Sequence, residues 1–262
     1  MSHNLKLSAL LIVALTAVLA AFFISPIAQD PSYHNFADQR RILGIPHFWN
    51  VVSNLPLAVV GLLGLRSLIT GSVAYGVQQL RTGYLVIFLG IILTGLGSSY
   101  YHLNPSNQTL VWDRLPMTVA FMAFFSVIIG ENINLTVGRR LLWPLVFAGI
   151  ASVAYWNITD MRGSGDLAPY ALAQFLPMLL IPLILILFRS HLSRNVYVWA
   201  VLAAYALAKV AEQLDEVVFL WLGIVSGHTL KHILAALSGY FLLLALQRRR
   251  RVSITATAPN AV

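Results

Sequence analysis

The sequence predicts an all-α polytopic membrane protein, and three observations carry that prediction. Its 262 residues are 58% hydrophobic and only 10% charged, and the mean hydropathy of +0.78 lies well outside the soluble globular range. Apolar runs of eighteen or more residues recur along almost the whole length, and each can cross a hydrocarbon core roughly 30 Å thick as a helix of about 20 residues. The runs are unbroken rather than alternating, so they close their backbone hydrogen bonds internally as helices and do not build a membrane barrel. No soluble domain fits between them.

Segment 7–28 has a lysine ahead of its apolar stretch, as a signal peptide does, but Pro26 and Ala28 make a poor small-x-small cleavage site. Residues 1–29 are therefore read as a retained N-terminal transmembrane helix, and 30–247 as the main helical domain. Segment 47–69 opens with HFWNVVSNLPLAVVG, whose Asn50, Ser53 and Asn54 fall on one side and are explained by hydrogen bonds between helices. Segments 82–103 and 111–131 flank a short loop, and 140–158 and 167–188 follow as apolar helices. Segment 196–222 carries KVAEQLDEVVF in its second half, and 228–247 begins with HTLKHILAAL. Residues 248–262 read as a basic, disordered tail. That makes eight candidate helices.

Charge decides the orientation. One set of flanks collects Lys6, Arg66, Arg81, Arg139, Arg140, Arg189, Arg194 and the four arginines at 248–251, and the other only Arg40, Arg41 and Arg162. Eleven against three places both termini in the cytoplasm and the loops 29–46, 103–110, 159–166 and 223–227 on the outer side. Arg248 to Arg251 supply half of the net charge of +8 directly behind an apolar helix, so they read as a topology anchor or a contact with anionic lipid, not as a nucleic-acid surface. The chain has no cysteine, which excludes disulfides and thiolate metal sites. There is no internal repeat, no glycine-rich phosphate loop and no His-Glu-x-x-His motif.

The unusual residues gather at the edges of the outer loops. Ser98 and His102 are four apart on one helical face, Asp113 follows the short loop, and His228 and His232 are again four apart at the start of the last segment. Three imidazoles at one depth, two of them on one face, suit zinc, which takes three protein ligands in catalytic sites and leaves the fourth position to water. His102, His228 and His232 are the candidate ligands, with Asp113 placed to take a proton and Ser98 to hydrogen-bond the water or an oxyanion. Plainer roles exist for each: an imidazole at a helix end is often interfacial, Asp113 can cap its helix, and Ser98 beside Gly95 and Gly97 can pack between helices. His3, His34, His47 and His191 have no histidine at helical spacing and receive no role. Glu212, Gln213, Asp215 and Glu216 approach the depth of His228, where Asp215 or Glu212 can orient a ligand histidine; the alternative is a set of solvated acids with Lys209 as partner.

The order Ser-x3-His, ten residues, Asp, then a distant His-x3-His resembles the alkaline ceramidase family, within the membrane hydrolases that also include adiponectin-receptor-like and lipid-remodelling proteins. The landmarks FWNVVSN, SSYYH, WDRLPM and GHTLKH span 47–247. The resemblance implies a seven-helix fold with 7–28 as an addition, and zinc held by His102, His228 and His232. It further implies Asp113 as general base, Ser98 as polar stabiliser, and hydrolysis of ceramide or another N-acyl membrane lipid to fatty acid and sphingoid base. The eukaryotic alkaline ceramidases also share an acidic calcium-binding segment before FWNVVSN, where this chain reads FADQRRILGIPHFWN. Asp38 is the one candidate remnant, Arg40 and Arg41 repel a cation, and His47 replaces a glutamate, so the pattern argues against calcium. Rival readings are an ester hydrolase acting on phospholipids, and a receptor-like or structural protein whose zinc has four protein ligands. Transport is disfavoured because the chain lacks paired halves.

Overall fold

The structure, a computed structural model, describes residues 1–71, 75–190 and 192–249. In chain order its helices are α1 (His3–Phe23), α2 (Phe48–Val52), α3 (Leu55–Ile69), α4 (Tyr75–Gln78), α5 (Arg81–Leu103) and α6 (Asn107–Asn132). They continue with α7 (Leu135–Met161), α8 (Ala168–Leu187), α9 (Val196–Gln213), α10 (Asp215–Leu222) and α11 (Gly227–Arg248), and a 3-10 turn at Pro31–His34 follows α1. No strand occurs among the described residues. Seven stretches are long and apolar enough to cross a membrane: α1, α2 with α3, α5, α6, α7, α8 and α11. The chain is an integral, multi-pass membrane protein. The eighth long helix, α9, falls short in apolarity because Lys209, Glu212 and Gln213 crowd its end.

Neighbours in sequence pack as antiparallel pairs, α5 on α6 and α6 on α7, while α3 joins α5 to α11 and α11 carries α9. Helix α8 leans on α6 and α7, and α1 lies outside it with only Leu10 buried. Lys6 Nζ donates to the Leu187 carbonyl at 2.6 Å at one end, and the Leu167 amide to the Ile27 carbonyl at 2.8 Å at the other, so α1 and α8 run antiparallel. Every loop expected on the outer side lies at one end of the bundle.

Two close approaches shape that end. A Cβ on Gly97 would overlap the Trp112 carbonyl oxygen, so glycine there lets α5 and α6 touch backbone to backbone. A Cβ on Gly227 would meet the Ala211 carbonyl in the same way and seats the start of α11 on α9.

Several boundaries differ from the sequence reading. The continuous helix expected over 196–222 breaks at Leu214, because the Asp215 carboxylate turns away to accept the backbone amides of His228 at 2.7 Å and Ala37 at 2.9 Å. The helix over 47–69 breaks at Ser53 and Asn54, ahead of Pro56. Helix α6 starts at Asn107, with Ser106 closing a capping box with Thr109, so Asp113 lies inside the helix and does not cap it. The first two residues of the expected tail belong to the bundle: α11 runs to Arg248, and Arg249 is buried against Glu131 with an Nη1–Oε2 distance of 2.6 Å. Arg250, Arg251 and the remainder of the tail lie outside the described residues, as does His191.

Candidate metal centre

Helices α5 and α11 deliver the three expected histidines to one place. His102 ends α5, and His228 and His232 occupy the first two turns of α11, whose N-terminus is capped by Ser226. All three are buried, and each offers a ring nitrogen within 4.8 Å of the others. The Nε2 atoms of His102 and His232 are 3.3 Å apart. Three imidazoles whose ring nitrogens converge in a buried site can offer them to one cation, so the donor set fits a metal ion.

His232 is oriented from behind. Ser53 Oγ donates to the Asn50 carbonyl at 3.3 Å and stands 2.8 Å from His232 Nδ1, so that nitrogen carries the proton and Nε2 presents its lone pair to the cluster. The same break in the second span therefore positions a ligand, and Asn50 Oδ1 ties it to α11 by accepting from Thr229 Oγ1 at 2.8 Å. The sequence reading treated Asn50, Ser53 and Asn54 as ordinary contacts between helices. Their signal was the shared face, but what they face lies 179 residues away.

Ser98 Oγ lies 3.4 Å from His232 Nε2 and neighbours the Asp113 carboxyl. Both residues are buried, Asp113 at 4% exposure. The five expected site residues thus form one connected group.

Two orienting roles need correction. Asp215 touches His228 through its backbone amide and not its ring. Glu212 touches no histidine: it pairs with Lys209, lies 2.8 Å from Lys231 Nζ, and accepts the Tyr33 hydroxyl at 3.1 Å. Two ammonium groups and a tyrosine hydroxyl satisfy its oxygens, which is why it faces away from the cluster.

The calcium remnant is also replaced. Arg40 Nε and Nη2 grip the two oxygens of Asp38 at 2.7 Å each, and its Nη2 and Nη1 also donate to the Ile224 and Gly223 carbonyls at 2.5 and 3.2 Å. Burial works against the ionised form of Asp38, but these hydrogen bonds outweigh it and hold the carboxyl below its ordinary range. A calcium ion at Asp38 would have to compete with this guanidinium, which staples the loop after α1 to the α10–α11 turn.

That loop brings in a residue with no sequence signal. The Phe36 ring, 3% exposed, lies 4.6 Å from both the His102 and His228 rings and covers the cluster on the side of these loops. Of the histidines left without a role, His34 bridges Tyr101 and Asn107 at 2.8 and 2.9 Å, and His47 approaches the Asp38 carbonyl at 3.3 Å. Neither joins the cluster.

On the side away from these loops the site gives way to an apolar cavity of about 120 Å³. Its upper wall includes Leu57, Thr94, Met117 and Ala235, each about one turn below Asn54, Ser98, Asp113 and His232 respectively, and Phe124 and Leu242 line its depth.

The family model described as Ceramidase matches residues 43–257, which include all five of these site residues. A Dictyostelium discoideum protein carrying the provisional name alkaline ceramidase dcd3A is 26% identical over 100 residues, a match covering 34% of this chain. The chain spans about a third of the length of that curated relative, 34%.

Proposed function

Since the chain belongs to the ceramidase family, we propose that it is a zinc-dependent hydrolase of the amide bond in ceramide-type N-acyl lipids, releasing a fatty acid and a sphingoid base. The observation that carries this reading is the buried triad of His102, His228 and His232 directly above an apolar cavity. The triad would hold the ion, which when bound polarises a carbonyl and makes water a nucleophile near neutral pH.

The chain's own residues do the rest. The cavity takes the acyl chain and so brings the scissile carbonyl to the level of Ser98. Asp113 accepts the proton of the attacking water and delivers it to the departing amine nitrogen as the carbon–nitrogen bond breaks. The Ser98 hydroxyl donates to the oxygen that gains charge. Ser53 keeps His232 in its ligand orientation, and Phe36 keeps bulk water away from the outer face. By the charge count of its flanks, the chain has both termini in the cytoplasm and this site toward the exoplasmic or periplasmic side.

The test is mass-spectrometric detection of fatty acid released by purified protein from ceramides, other N-acyl lipids and diacyl phospholipids. Release from amide lipids, reduced about 10²–10⁴-fold in Asp113→Asn, is expected, together with loss of bound zinc in His232→Ala. Ester-only release would overturn the amide assignment, and no release from zinc-loaded protein would overturn hydrolysis altogether.

A further inference from the structure

The charged residues are divided unevenly between the two ends of the bundle. Of the nine acidic residues, all but Glu131 lie at the end that holds the histidines. Glu131 is closed by Arg249 and by the Tyr84 hydroxyl. Eleven lysines and arginines flank the opposite end, which biases orientation but does not by itself make a site. Arg81 and Arg139 are placed differently, because both line one cavity of about 280 Å³ between the start of α5 and the start of α7. Both are exposed, and neither side chain has an ion pair or hydrogen bond among the described residues.

Glycine contacts fix the wall behind this cavity. A Cβ on Gly138 would overlap the Gly130 backbone, and one on Gly83 would meet Val127 Cγ2 at 2.6 Å, so α7 and α5 are both drawn against α6. The rim in front of that wall has two characters. Gln79, Thr82 and the first turn of α5, which has no side-chain cap, offer neutral donors beside the guanidinium groups. Leu142 and Trp143 supply an apolar side, and Trp143 is 50% exposed, as suits an aromatic residue at the boundary between headgroups and acyl chains. Guanidinium groups meet phosphate oxygens in a fork, and the apolar side suits a phosphate attached to lipid chains better than one free in water.

We propose that this cavity binds the phosphate headgroup of an anionic membrane lipid, held by Arg81 from α5 and Arg139 from α7, with the acyl chains descending over Leu142 and Trp143. Basic pockets between membrane helices bind lipid headgroups in this way. By the charge count of the flanks, the lipid belongs to the cytoplasmic leaflet. Arg81 and His102 stand near opposite ends of α5, so the proposal is independent of the hydrolase reading.

The experiment uses the full chain in detergent and reads the thermal shift on adding short-chain phosphatidylglycerol, short-chain phosphatidylcholine or inorganic phosphate. Native mass spectrometry of protein released from nanodiscs of mixed phosphatidylglycerol and phosphatidylcholine identifies the retained lipid. Phosphatidylglycerol is expected to bind about 10–100-fold more tightly than phosphatidylcholine, the range of two arginines at a membrane surface, and to be the lipid retained. Arg81→Gln combined with Arg139→Gln should bring that ratio close to one. Arg66→Gln combined with Arg189→Gln removes the same charge from the same end but outside the cavity, and should leave the ratio unchanged. All four arginines are exposed, so both variants should keep their midpoint without lipid, and both retain a flank bias of nine against three. Equal loss in the two variants would reveal a diffuse attraction to the basic end and overturn the site. An equal shift from inorganic phosphate would overturn the lipid as occupant, and equal binding of phosphatidylcholine would overturn recognition by charge.

Discussion

The imidazole of His232 has one nitrogen committed to Ser53 and the other turned toward His102 and Ser98. Removing the Ser53 hydroxyl frees the ring to rotate and to exchange tautomers, so Ser53→Ala should weaken zinc binding about 10–100-fold. Competition with a fluorescent zinc chelator measures this, and retained affinity would show that the ring is held by packing alone. The five central residues were legible because periodicity places Ser98 over His102 and His228 over His232, and a short loop brings Asp113 beside them. Ser53 and Phe36 were not legible as residues of the site. A serine or phenylalanine becomes functional only through what faces it, and here the faces belong to elements brought together by the fold.

At the scale of elements, the site depends on two helices meeting where one of them has no side chain. Gly97 lets α5 press against the α6 backbone at Trp112, one residue from Asp113. Gly97→Ala should force the pair apart and destabilise the protein by about 1–3 kcal/mol, the usual penalty of overpacking. Thermal unfolding in detergent is the measurement, and an unchanged midpoint would mean that the helices shift freely. Hydropathy located each apolar segment, since burial in lipid imposes a length and a composition. It did not locate the breaks at Ser53 and Leu214, because both arise where polar groups leave the helix to serve another: Ser53 turns to His232, and Asp215 to the amides that begin α11. A helix period carries no trace of such a partner.

Across the whole molecule, polar groups concentrate at the two ends of the bundle. Opposite the histidines, Arg249 reaches Glu131, Ser190, Asn195 and the Ser193 carbonyl, and Tyr84 donates to the same Glu131. This ties the end of α11 to α6 across a separation of 118 residues, which composition cannot reveal, since it shows only an arginine run. Glu131→Gln should cost about 3–5 kcal/mol by leaving a buried guanidinium without its counter-charge. Zinc content should persist, because α11 separates the two clusters by roughly 30 Å. Detergent unfolding together with metal analysis distinguishes a local from a general effect, and loss of zinc would tie the two ends together. The Phe36 ring over His102 and His228 has a consequence for reagents as well. A multiply charged aqueous chelator must displace an aromatic plug before it reaches the ion, whereas a flat, lipid-soluble one can arrive through the bilayer. Stripping should therefore run faster with phenanthroline than with EDTA despite the latter's greater affinity, and Phe36→Ala should erase that order.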